Sequence, residues 1–243
     1  MTKFKVLSRD NLKLIALISM IVDHIGFMFI SFNSPLYFIF RMLIGRFSYV
    51  LFLFLFVTGF YNIKPENYKK HLKDLLFFSF VSQLGYMFMY DGIWHISFFR
   101  LNIMFSWLFC FVMLVLLSFI KSQEQVYTRD GVLFLNIIAI LIFGIIGFAI
   151  RLDYYGISPL VIGFAYLYIN YCNENCLEIS YLRLALYIAV MIAILSTNPF
   201  ELLGAIPILF YNPNNKAHKF KYLYYWMYPV HLMILCVVYM IIN

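Results

Sequence analysis

Charge is what this sequence has least of: Asp, Glu, Lys and Arg make up 12% of its 243 residues, against roughly 25% in an average soluble domain. A water-soluble globule of this size must clothe a large surface in polar side chains, and 18 basic plus 11 acidic residues cannot do so. An ordinary soluble enzyme is therefore excluded. Cysteine is scarce as well. Cys110, Cys172, Cys176 and Cys236 lie in different apolar contexts, and the one close pair, Cys172 and Cys176, has no matching His or Cys nearby. They read as small hydrophobes, and no metal is expected. No cleavable signal is visible: Met1 to Lys13 has the look of a charged n-region, but the apolar run after it carries Asp23 and His24 and no small-residue cleavage site. The first helix is expected to stay. Ser/Gly-rich linkers, long charged tails and internal repeats are missing too, so one domain over residues 1–243 is the economical reading.

What the chain does have is apolar residues, 64% of the total. They fall into repeated runs of about 20, each long enough at roughly 1.5 Å per residue to cross a hydrocarbon core of about 30 Å. Spans bounded by polar or turn-forming residues are expected at 12–32, 36–61, 74–90, 98–120, 132–150, 155–172, 181–197, 200–211 and 223–242. The fold class is thus all-α, a polytopic integral membrane bundle of about nine transmembrane helices. The run at 200–211 is the exception, crowded by Pro199, Pro207 and Pro213 and too short to cross unaided, and it reads as short or re-entrant. With the N-terminus in the cytoplasm, every one of the 18 basic residues except Arg41, Arg46, Arg100 and Arg151 falls on the cytoplasmic side. The net charge of +7 then reflects topology and does not imply nucleic acid.

The informative residues are the ionisable ones inside apolar runs, since each costs several kcal/mol at mid-membrane unless it meets a partner or a wet cavity. Asp23 and His24 lead them, roughly 16 Å above Lys13 along the first helix. Eleven residues separate Lys13 from His24, three turns plus about 20°, which puts both side chains on one face. A cation at the cytoplasmic surface and an imidazole deeper on the same stripe suit a long anionic ligand entering reactive end first; taken alone, Lys13 is more simply a snorkelling anchor. In the second helix Arg41 can snorkel outward, whereas Arg46 lies too deep. An Arg46–Asp23 ion pair that merely joins two helices is one reading of it. Further polar groups stand at Arg100 and Asn102, at Arg151 and Asp153, and at Tyr228 and His231, the last beside a helix-bending Pro229. His231 is either a site residue or a donor to a neighbouring helix.

The stretch Leu12–Gly26 with its Asp23-His24, the Ile44-Gly45-Arg46 segment running to Gly59, Arg100-Leu101-Asn102-Ile103, and Tyr225 to Leu232 with Tyr228-Pro229-Val230-His231 together resemble the TraX family over nearly the whole chain. That resemblance implies a polytopic bacterial inner-membrane protein associated with conjugation, an acetyltransferase that uses acetyl-CoA to acetylate a pilin N-terminus. It also implies kinship with transmembrane acyltransferases whose first helix carries Arg-x10-His, here Lys13-x10-His24. On this reading His24 and Asp23 are catalytic, with His24 the base. Lys13, Arg46 and Arg41 contact the acyl donor, and Asn102, Arg100, Tyr228 and His231 contact the acceptor, a membrane-associated peptide or glycan. Two other readings stand beside it: a small transporter or flippase using Asp23, His24 and Arg46, and an assembly factor whose polar residues only hold helices together.

Overall fold

A computed structural model describes residues 6–92, 94, 100–215 and 221–242. Among the described residues the chain forms helices and no strand, apart from one isolated parallel bridge between Leu7 and Tyr211. The helices, in chain order, are α1 (Arg9–Phe29), α2 (Pro35–Phe60), α3 (Tyr68–Asp91), α4 (Ile103–Ser122), α5 (Arg129–Ala149), α6 (Ile157–Glu174), α7 (Tyr181–Leu195), α8 (Pro199–Leu209) and α9 (Lys221–Ile242). Each expected span meets one of them. Among the described residues five helices are long and apolar enough to cross a membrane, namely α1, α2, α4, α5 and, over Tyr224–Ile242, α9. The run at 200–211 is indeed irregular: α8 is 3-10 helix from Pro199 to Ala205 and α-helix only over its last turn. Of the basic residues behind the expected orientation, Lys3, Lys5, Lys216 and Lys219 lie outside the described residues, as do Phe98 and Phe99 at the start of the 98–120 span.

The chain divides into two compact units. The first comprises Met1–Phe56, Leu84–His95 and Ser180–Asn243, the second Val57–Gln83 and Ile96–Ile179. In the second unit α4, α5 and α6 pack on one another. Small residues make this approach possible, as they commonly do between membrane helices. A Cβ at Gly163 would stand 2.5 Å from Ile140 Cγ1, and one at Gly144 would stand 2.6 Å from Leu160 Cδ2. The opposite face of α5 carries Phe134, Ile145 and Phe148, all more than 60% exposed. Such a stripe suits contact with lipid chains and would be an aggregation hazard in water.

The first unit is built on α1. Ser8 caps it: its Oγ accepts the Asn11 N–H at 3.2 Å while Asn11 Oδ1 accepts the Ser8 N–H at 3.3 Å, so two helix-end donors are satisfied reciprocally. The Leu7 N–H donates to the Phe210 carbonyl at 2.9 Å and Asn212 N–H to the Leu7 carbonyl at 2.8 Å, tying the entry of α1 to the exit of α8. α8 in turn seats on α2, where a Cβ at Gly204 would lie 2.5 Å from Val50 Cβ.

Candidate functional site

Helix α1 works on two faces. One carries Ser19, Asp23 and Gly26, and meets a stretch of α2, Phe38–Ile44, that is wound as π-helix. Widening the turn to i→i+5 brings the Gly45 N–H onto the Phe40 carbonyl at 2.8 Å. Ser19 Oγ donates across to the Ile44 carbonyl at 2.5 Å, giving a partner to a group whose register the π turn has altered. Two glycines set the spacing. A Cβ on Gly26 would lie 2.8 Å from Phe40 Cβ, and one on Gly45 would lie 2.8 Å from Asp23 Cβ and collide with its carboxylate. In the gap so created Arg41 Nη1 donates to Asp23 Oδ2 at 2.5 Å, with its guanidinium 5.0 Å from the Phe27 ring centre.

The partner of Asp23 is therefore Arg41, not Arg46. Arg41 does not snorkel outward, because the π turn rotates it toward α1. Arg46 points instead at α8, its Nη1 3.4 Å from Glu201 Oε1 and its Nη2 3.7 Å from Met42 Sδ. The Glu201 side chain is fully buried in the first turn of α8. Glu201 is not among the residues singled out from the sequence. A lone carboxylate in a proline-flanked apolar run was the available signal, of the same kind that drew attention to Asp23.

The other face of α1 looks at α9. Lys13 Nζ lies 2.9 Å from Asp10 Oδ1 and 4.8 Å from the centre of the Tyr224 ring. Two turns further along α9, His231 meets His24. These contacts put Lys13 and His24 on one face, as their spacing requires. His24 Nδ1 stands 2.7 Å from His231 Nε2, and the ring planes differ by only 9° with centroids 5.0 Å apart. That separation is what an in-line N···N contact demands of two coplanar imidazoles, so the rings lie edge to edge.

The proton positions follow from the far end of this pair. His231 Nδ1 is 2.7 Å from the Met227 carbonyl oxygen, which can only accept. Nδ1 therefore carries the hydrogen, and neutral His231 presents a lone pair at Nε2. Into that lone pair His24 donates its Nδ1–H. His24 Nε2 is left with its own lone pair, and among the described residues it makes no hydrogen bond. Tyr228 supports the arrangement, packing on His231 with ring centroids 5.5 Å apart at 62°. Asp23 takes no part in it. Adjacent residues on a helix diverge by about 100°, and the two side chains serve different neighbours.

A model of one protein family, described as TraX protein, matches residues 8–239. The chain belongs to the TraX family. It is also 28% identical over 242 residues to a protein of Dichelobacter nodosus described as "Probable fimbrial assembly protein FimC, serogroup H1", an alignment that covers 94% of each chain. No solved structure matches.

In this TraX-family chain the remaining candidates belong to the second unit. Asn102 is wholly buried and committed to the fold. Its Oδ1 accepts the Met104 N–H at 2.9 Å as the N-cap of α4, while its Nδ2 donates to the Ser79 carbonyl and to Gln83 Oε1, both at 2.8 Å. Every hydrogen-bonding group of the amide is thereby used, which describes a bracket between α3 and α4. Arg100 is exposed, and its carbonyl accepts from Gln83 Nε2 at 2.7 Å.

Proposed function

We propose that this TraX-family protein is an acetyltransferase of the bacterial cytoplasmic membrane. It would move an acetyl group from cytoplasmic acetyl-CoA to an amine or hydroxyl of a membrane-associated acceptor, foremost the N-terminus of a pilin-like exported peptide. The observation that carries this reading is the free lone pair of His24 Nε2, held in place by a fixed chain of hydrogen bonds. The family, and the fimbrial assembly named for the Dichelobacter nodosus relative, support the choice of acceptor.

Acetyl-CoA supplies an already activated thioester carbonyl. The protein's share of the work is to hold the acceptor and take its proton. His24 Nε2 removes that proton as the acceptor's nitrogen or oxygen bonds to the acetyl carbon and the carbon–sulfur bond breaks; the proton then returns to the departing sulfur. His231 is a positioning residue. By accepting His24 Nδ1–H it fixes the tautomer that exposes Nε2 and shares the charge when the base is loaded, the part a carboxylate plays in a hydrolase triad. Lys13, on the same face and toward the start of α1, would meet the anionic portion of the donor.

The test is purified protein in lipid nanodiscs given acetyl-CoA and a peptide with a free N-terminus, reading thiol release and the acetylated product by mass spectrometry. Absence of both, with peptide and with cell-surface glycan as acceptor, would sink the proposal. Within the same assay His231→Ala should lower kcat by on the order of tenfold or more with little change in KM for acetyl-CoA. His231→Gln, whose amide oxygen can accept the His24 Nδ1–H, should recover part of that loss. Equal damage from both variants would argue against the positioning role.

A further inference from the structure

The part of α3 that belongs to the second unit has two contrasting sides. Counted at about 100° per residue, Lys69, Lys70, Lys73, Leu76, Phe77 and Phe80 fall within one arc of roughly 120°, and all six are exposed. Tyr68, His71, Leu75 and Phe78 lie on the opposite side and hold the helix to its own unit. The Tyr68 ring stacks on Phe60 with centroids 5.4 Å apart at 20°, and the His71 ring lies 6.0 Å from that of Phe111 in α4. The outward stripe thus sits on a fixed frame, and it changes character within one turn. Three ammonium groups give way to Leu76, Phe77 and Phe80, each 45–53% exposed. Lys73 and Phe77 are about 6 Å apart along the helix axis, close to the roughly 5–8 Å depth of the headgroup layer on either side of a hydrocarbon core.

The three lysines are not neutralised within their unit. Lys64 meets Glu66 at 4.0 Å, and Lys121 and Arg129 share Glu174 at 2.5 and 3.1 Å. Lys69, Lys70 and Lys73 meet no carboxylate among the described residues. Asp74, the nearest acid in the sequence, pairs with none of them and keeps its Oδ2 buried. From this unpaired charge directly above an apolar stripe we infer that the start of α3 binds an anionic phospholipid. The phosphate lies among the three ammonium groups, and the acyl chains run along Leu76, Phe77 and Phe80. Each lysine adds attraction to a negatively charged leaflet, an attraction that fades within a Debye length. The lysine stems cover apolar surface while their heads reach the phosphate. A soluble anion or an acidic peptide would answer the lysines alone. A phospholipid answers both chemistries in the order in which the helix presents them. The site lies in the second unit, apart from the His24–His231 pair, and stands whether or not the protein transfers acetyl groups.

The experiment places the protein in nanodiscs made of phosphatidylglycerol and phosphatidylcholine in equal amounts with matched chains, and counts the lipids it retains by native mass spectrometry. The wild-type protein should retain phosphatidylglycerol with an apparent affinity at least about tenfold above that for phosphatidylcholine. The triple variant Lys69→Gln, Lys70→Gln, Lys73→Gln should lose most of that preference, and the triple arginine variant at the same positions should keep it. Lys64→Gln with Arg129→Gln, which removes two paired cations, should leave it unchanged. A photo-crosslinkable phosphatidylglycerol reads the same site in the wild-type protein and covers the case in which the glutamine variant fails to fold. Its adducts should fall within residues 69–80 and fade in about 1 M salt, where the Debye length is roughly 3 Å. Equal retention of the two lipids, a preference untouched by the glutamine variant, or adducts confined to other segments overturns the inference. So does inorganic phosphate that displaces the lipid at millimolar concentration, which would assign the lysines to a soluble anion.

Discussion

Replacing His24 with alanine should cut acetyl transfer by about 10²–10⁴-fold, the contribution expected of a positioned general base, in a protein that still folds. Folding should survive because His24 bonds outward, to one nitrogen of His231, and bears no helix cap, buried charge or close glycine contact. Its removal leaves His231 still anchored to the Met227 carbonyl and still packed against Tyr228. Thiol release from acetyl-CoA measures the loss, and circular dichroism with size-exclusion chromatography in detergent measures what is kept. Wild-type turnover by the variant would remove His24 from the mechanism. Loss of helix content together with turnover would move the dyad into the class of inter-helix struts, the assembly-factor reading.

Asp23→Ala should behave in the opposite way. It strands Arg41 in the contact between α1 and the π segment, where among the described residues no other carboxylate pairs with it, and removing one member of a buried pair costs about 3–5 kcal/mol, an upper figure for this part-buried one. The expected result is a lowered melting temperature and poor recovery from the membrane. The double variant Asp23→Ala with Arg41→Met, which removes both charges, should regain most of the loss. If Asp23→Ala melted like the wild type and failed only in turnover, Asp23 would act on the chemistry directly. The contrast between the two neighbouring residues is itself informative, because the sequence places them side by side and the helix sends them to different tasks.

The helical plan was legible because a membrane span must be long, apolar and bounded, and these demands leave marks in sequence. α2 was expected at 36–61 and runs from Pro35 to Phe60. The common face of Lys13 and His24 was legible for a similar reason, since α1 is regular between them. Pairings were harder. Depth alone made Arg46 the natural partner for Asp23, but partner choice depends on rotation about the α2 axis, and the π turn that sets this rotation has no visible signature in Phe38–Ile44. Glu201 is hard to read from sequence because its segment, with Pro199 and Pro207 on either side, has the marks of a defective helix and not of a site. Asn102 could have been read from local rules, as an asparagine directly before an apolar run is a preferred N-cap. His231 drew notice through Pro229, while its bond to His24, 207 positions away in sequence, belongs to the tertiary fold.

The π segment also makes chain length a functional variable. A π turn amounts to one residue more than an α-helix would use, so deleting a single amino acid within Phe38–Ile44 would let α2 relax into ordinary α geometry with its two ends still in register. Relaxing the π turn with every residue kept would instead swing the part of α2 before it by about 100° relative to the part after it. Arg41 and Arg46 could no longer face Asp23 and Glu201 at the same time, although neither residue had been altered. Substitution scans would score this segment as permissive, since Phe38, Ile39 and Leu43 are all replaceable by other apolar residues of similar size. A scan by single deletions would find it more tolerant than the regular turns of α1, because one residue of this segment is the surplus that the π turn absorbs.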